Sequence, residues 1–94
     1  MKILGFNYSV ERSLPDDTKF IGMADSDNFK IQLNSKAYPD ARLIEVIIHE
    51  TLHAISNELE LKLTERMVQG LSATLYQVLS ENGVNLAPLL EGVK

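Results

Sequence analysis

Leu4, Phe6, Tyr8 and Val10 alternate with Asn7 and Ser9 along residues 3–10, the period-two pattern of a half-buried strand. Leu14-Pro15-Asp16-Asp17 ends that pattern. Residues 19–24 form a second strand candidate, and Asp25-Ser26-Asp27-Asn28 has the composition of a turn. Over residues 29–34 the alternation returns, with Phe29, Ile31 and Leu33 on one face. The expected product is a small antiparallel sheet of about three strands.

The period then changes to that of a helix. Pro39-Asp40 suits a helix start, because proline is tolerated in the first turn and an acidic residue there complements the helix dipole. Ile44, Ile48, Leu52, Ile55 and Leu59 follow at spacings of four, four, three and four, and Val46, Ile47 and Ala54 widen the stripe. A helix apolar around so much of its circumference belongs at the centre of the fold, with the sheet on one side and another helix on the other. That second helix is predicted from about Thr64 to Asn82-Gly83, with Val68, Leu71, Leu75, Val78 and Leu79 on its buried side. Gly70 in its interior suggests a close helix contact. The segment 84–94, interrupted by Pro88, is expected to make a short helical turn or to fray. The fold class is therefore α+β: the small sheet packed on two long antiparallel helices, in one domain spanning residues 1–94.

Composition narrows the chemistry. The 45% hydrophobic fraction suits a globular chain with a modest core, to which a bound metal would add stability. There is no cysteine, so disulfides and thiolate ligands are excluded, and this agrees with a cytoplasmic setting. No apolar run has the length of a signal-peptide core or a membrane span, so no membrane association is expected. The net charge of −4 without a basic cluster argues against a nucleic-acid partner and for a neutral or basic polypeptide.

Candidate chemistry is concentrated in His49-Glu50-Thr51-Leu52-His53, which holds the only two histidines of the chain. Side chains four apart on a helix lie one turn above each other, so His49 and His53 are placed to share one metal ion. A catalytic zinc takes three protein ligands and keeps a fourth position for water, which Glu50 would serve as general base. Among the carboxylate candidates for the third ligand, Glu58 falls on the opposite face of the helix, and Glu60 would lie about 10 Å beyond His53 along the axis. Glu65 is the better candidate, since a turn between Glu60 and Thr64 would let it point back from the second helix; its other reading is an acidic first-turn residue. Asp25, Asp27 and Glu45 remain as weaker candidates, the first two as turn residues and Glu45 as an outer or exposed group. Tyr8, Tyr38, Tyr76 and Arg66 are candidates for stabilising an oxyanion, with nothing in their spacing to rank them.

His49-Glu50-Thr51-Leu52-His53-Ala54-Ile55, preceded by Ile31-Gln32-Leu33-Asn34 and followed by Glu65 with Val68, Leu71 and Leu75, resembles the minimal gluzincin metallopeptidases. Within that group it is most similar to ImmA/IrrE-type enzymes and the very small zincin-like proteins of bacteriophages, over roughly residues 29–79. The resemblance implies His49, His53 and Glu65 as zinc ligands, Glu50 as the catalytic base and a polypeptide as substrate. It also implies that an edge strand aligns the peptide by backbone pairing, which would fall here to residues 29–34. Two features depart from the family: Leu52 stands where a glycine is usual, and no large second lobe is present to close a cleft. Two other readings use the same histidines. One is a zinc-binding regulatory or interaction module without catalysis. The other is a YbeY-like metal-dependent ribonuclease, whose third histidine is replaced here by the region of Glu58 and Glu60.

Overall fold

The computed structural model describes residues 1–94 as an α+β fold with two helices and two small sheets. Strands β1 (Lys2–Ile3) and β2 (Phe6–Asn7) make an antiparallel hairpin. Strands β3 (Ser9–Leu14), β4 (Gly22–Asp25) and β5 (Lys30–Asn34) make a three-stranded sheet of order β3-β5-β4. Helix α1 spans Asp40–Leu59, helix α2 spans Glu65–Glu81, and a 3-10 turn covers Ala87–Leu90.

The alternation over residues 3–10 therefore does not form one strand. Leu4 and Gly5 both take positive φ, 52° and 85°, and fold the chain back on itself between β1 and β2. The expected all-antiparallel sheet is also corrected. Strand β5 pairs antiparallel with β4 but parallel with β3, because the chain leaves β3, crosses to the far edge to make β4, and returns through a tight turn as the central strand. Period-two alternation specifies which face of a strand is buried and carries no information about strand order.

The crossing loop is anchored by a single side chain. Asn34 is buried, and its amide nitrogen donates to the carbonyls of Pro15, Thr18 and Phe20 at 3.2, 3.1 and 3.1 Å, while its Oδ1 accepts from the backbone N–H of Lys36 at 2.8 Å. A buried amide satisfied in this way fixes the route of the loop into β4. At the other edge, the backbone of Lys94 pairs with Val10 and Arg12 and covers β3, with Leu90 and Val93 packed on the core. The segment after α2 is thus docked, and β4 is left as the open edge.

Val10, Ile31 and Leu33 of the sheet meet Leu43, Val46, Ile47 and Ala54 of α1, with Ile3 and Tyr8 closing one end. The buried line of α1 is rotated from the expected stripe: Ile48, Leu52 and Ile55 are only half-buried and Leu59 is exposed. Glu50 lies on that buried line, facing β4. Helix α2 packs against the other side of α1, yet only Val68 and Ser72 of it are buried. Leu71, Leu75 and Val78, expected in the core, are exposed, and Leu79 is half-buried. Nothing approaches within 4 Å of where a side chain on Gly70 would begin, so no close contact inside the protomer accounts for that glycine.

Candidate metal centre

Helix α1 carries His49 and His53 on the side that faces α2, as their spacing of four requires. Their rings lie with centroids 5.0 Å apart. The turn between the helices then brings Glu65 back to them. Glu60 and Lys62 both adopt positive φ, 53° and 56°, which reverses the chain within a few residues. The buried hydroxyl of Ser56 accepts from the N–H of Leu63 at 3.0 Å, and Thr64 caps α2 by accepting from the N–H of Met67 at 3.2 Å. Glu65 is consequently the first residue of α2, where an acidic side chain also complements the helix dipole.

The two imidazoles converge on this carboxylate. Nε2 of His49 lies 2.7 Å from one Glu65 oxygen and Nε2 of His53 lies 2.7 Å from the other. Desolvation opposes ionisation of Glu65, but hydrogen bonding to His53 and the proximity of both histidines outweigh it and hold its pKa below the ordinary value. The ligand atoms of His49, His53 and Glu65 all lie within 4.8 Å of one another. Neighbouring ligands of a tetrahedral zinc with bonds near 2.0–2.1 Å would be about 3.3 Å apart, and two nitrogens with one carboxylate oxygen are a donor set that zinc accepts. The residues present therefore fit such an ion.

Glu50 has a different environment. Its side chain is 11% exposed, and its carboxylate stands 4.0 Å from Nε2 of His49, beside the convergence point. Burial raises its pKa above the ordinary value of 4.5, against the opposing pull of His49 and His53 and a backbone hydrogen bond from Ala24. Gly22 permits this arrangement. A Cβ at that position would stand 2.6 Å from Val46 Cγ1 and 3.2 Å from Glu50 Cγ, so β4 approaches α1 closely only because residue 22 has no side chain.

Other sequence candidates are separated from the centre. Glu58 accepts a 3.3 Å hydrogen bond from the hydroxyl of Tyr8 on the opposite side of α1, and Glu60 caps the helix end. Asp25 is engaged by Asn28 within the β4–β5 turn. Glu45 lines the cleft of about 260 Å³ beside Glu50, together with Lys19, Phe20, Arg42 and Gln69. Tyr8, Tyr38, Tyr76 and Arg66 line neither this cleft nor the adjoining one formed by Met23, Ala24 and the three candidate ligands. The expected peptide-aligning edge at residues 29–34 is corrected too, since β5 is the central strand and has no free side; β4 holds the open edge next to the site.

Ser72 was not foreseen from the sequence. Its buried hydroxyl lies 3.3 Å from Nδ1 of His49 and donates to the carbonyl of Gln69 at 3.1 Å. With its own hydrogen committed, Ser72 Oγ can accept from Nδ1–H, and a proton held there would leave Nε2 of His49 to a metal in place of its present contact with Glu65. The available signal was its spacing of seven from Glu65, which places both on one face of α2. No helix in the molecule is long and apolar enough to cross a membrane. In comparisons with known protein families, curated proteins and solved structures, the chain matches none.

Proposed function

We propose that this chain is a zinc-dependent metallopeptidase of minimal zincin-like type, with His49, His53 and Glu65 as ligands and Glu50 as general base. The observation that carries the reading is the meeting of both imidazole Nε2 atoms with Glu65 at 2.7 Å, one residue away from a buried carboxylate that is not part of the ligand set. Zinc bound there would polarise a peptide carbonyl and acidify water. Glu50 takes the proton from the water as its oxygen attacks the carbonyl carbon, and returns it to the amine nitrogen as the C–N bond breaks. In the metal-free chain burial raises its pKa, which strengthens it as a base. Ser72 holds His49 in the liganding tautomer.

An extended polypeptide has one open strand edge beside these residues, the backbone of Gly22–Asp25, on which main-chain pairing would lay a peptide across Glu50. The exposed Phe20 and Met23 flank that path and offer apolar contacts to its side chains. The absence of cysteine agrees with a cytoplasmic site of action.

Glu50→Gln is the discriminating variant, since it preserves size and removes the base. Zinc content is expected to be unchanged, and hydrolysis of an unfolded protein substrate to fall by about 10²–10⁴-fold. Equal turnover by the two zinc-loaded proteins would contradict the mechanism. Zinc binding without turnover in either would identify the chain as a non-catalytic zinc-binding module.

A further inference from the structure

Helix α2 has two apolar seams, and the protomer uses only one. Val68, Ser72, Leu75 and Leu79, spaced four, three and four, face α1. Met67, Leu71, Thr74 and Val78 repeat the same spacing about 100° further round the helix. This second seam is in solvent: Met67 is 52%, Leu71 45% and Val78 50% exposed, and Thr74 is exposed as well. Scattered exposed leucines need no explanation, whereas a continuous heptad-spaced seam is the pattern by which one helix packs on another.

The charges around the seam define its partner. Residues 67–80 contain no charged side chain at all, although more than half of them are exposed. Charged residues are depleted at the centres of protein interfaces, and a face of this kind gives a strongly acidic or basic partner nothing to pair with. Arg66 closes the uncharged run at one end and Glu81 at the other, at equal distances from its midpoint. A second α2 laid antiparallel would set Met67 against the partner's Val78 and Leu71 against the partner's Thr74, and would bring Arg66 to within about one helical turn of the partner's Glu81 at both ends. A parallel arrangement would oppose like charges instead. Gly70 flanks the seam with open space around it, where a second helix can approach closely.

We infer that α2 is the interface of an antiparallel homodimer, in which the seam of Met67, Leu71, Thr74 and Val78 packs on the same seam of a second copy. The contact is isologous and closes on itself, as two-fold dimers do. Glu65 lies about 150° around α2 from the seam, so the pairing leaves both candidate metal centres open to solvent. The inference does not rest on the proposed catalysis.

Sedimentation equilibrium of the full chain tests it. Wild type is expected to reach a mass of twice 10.5 kDa as concentration rises into the tens of micromolar. Leu71→Glu, at an exposed position that the monomer does not need, should remain folded by circular dichroism and associate at least about tenfold more weakly. Arg66→Glu and Glu81→Arg should each weaken association by about tenfold, and the double variant should restore it, because the antiparallel pairs are then exchanged intact. A wild type that stays at 10.5 kDa up to several hundred micromolar would overturn the dimer. So would a Leu71→Glu protein that associates like wild type, and a double variant no stronger than the single ones would overturn the antiparallel arrangement.

Discussion

Helices α1 and α2 both contribute to the candidate metal centre, but they are held in very different ways. Helix α1 has seven buried residues and lies between the sheet and α2, so packing determines where His49, Glu50 and His53 stand. Helix α2 buries only Val68 and Ser72, and its contribution, Glu65, has a side chain 68% exposed. Rigidity follows the number of buried neighbours, so the centre joins a fixed element to a lightly held one. Polar cross-links join the two helices at the site, Glu65 to both histidines and Ser72 to His49. A metal bound between the helices would therefore add more to the docking of α2 than to the position of α1.

The largest effect that can break this contrast comes from a pair of apolar truncations, one in each helix. Ile47→Ala, at a fully buried position in α1, should cost about 2–5 kcal/mol of unfolding free energy. Leu75→Ala in α2, measured at dilution where copies are separate, should cost under about 1 kcal/mol. Similar costs in chemical denaturation would show that α2 is packed as firmly as α1.

A smaller effect reports on the link between the helices. Ser72→Ala removes the acceptor for His49 Nδ1–H without touching a ligand, and zinc affinity is expected to drop about 10–100-fold. Competition with a chromophoric chelator measures it, and unchanged affinity would mean that α1 alone orients the imidazole.

The smallest expected change has the opposite sign. Burial raises the pKa of Glu50, so the folded metal-free protein binds that proton more tightly than the unfolded chain does. The resulting stabilisation is complete below the ordinary value of 4.5 and is lost as pH rises through the folded value. Glu50→Gln should accordingly melt a few degrees higher than wild type at neutral pH without metal, and the gap should close below about pH 4.5. Glu65 shifts in the other direction, with its contribution lost as pH falls, and it is present in both proteins. A wild type as stable as Glu50→Gln at neutral pH would show that β4 does not bury the carboxylate.

These contrasts also account for what the sequence could and could not disclose. The histidine pair was legible because a spacing of four has one geometric consequence on a helix, and Glu65 because the interval 60–64 is long enough to reverse the chain. The burial of α2 was not legible: Leu71, Leu75 and Val78 have the same pattern whether they face a core or solvent. Strand alternation put Val10, Ile31 and Leu33 on the faces that are buried, but also Leu4, Phe6 and Phe29, which are exposed, and the parallel pairing of β3 with β5 depends on a loop route anchored by Asn34, which the alternation reads only as the end of a strand. Gly5 and Gly22 were the overlooked signals, one marking the hairpin inside an apparent strand and the other the approach of β4 to Glu50.

Calorimetric titration of zinc into the metal-free chain and its Glu65→Ala variant addresses the central claim most directly, because Glu65 is the one candidate ligand on the lightly held helix. Wild type should bind one ion per chain, and the variant should lose at least about 100-fold in affinity while retaining its fold, as expected when one of three protein ligands is removed. Absence of binding by wild type, or equal affinity in the two proteins, would contradict a metal centre built from His49, His53 and Glu65.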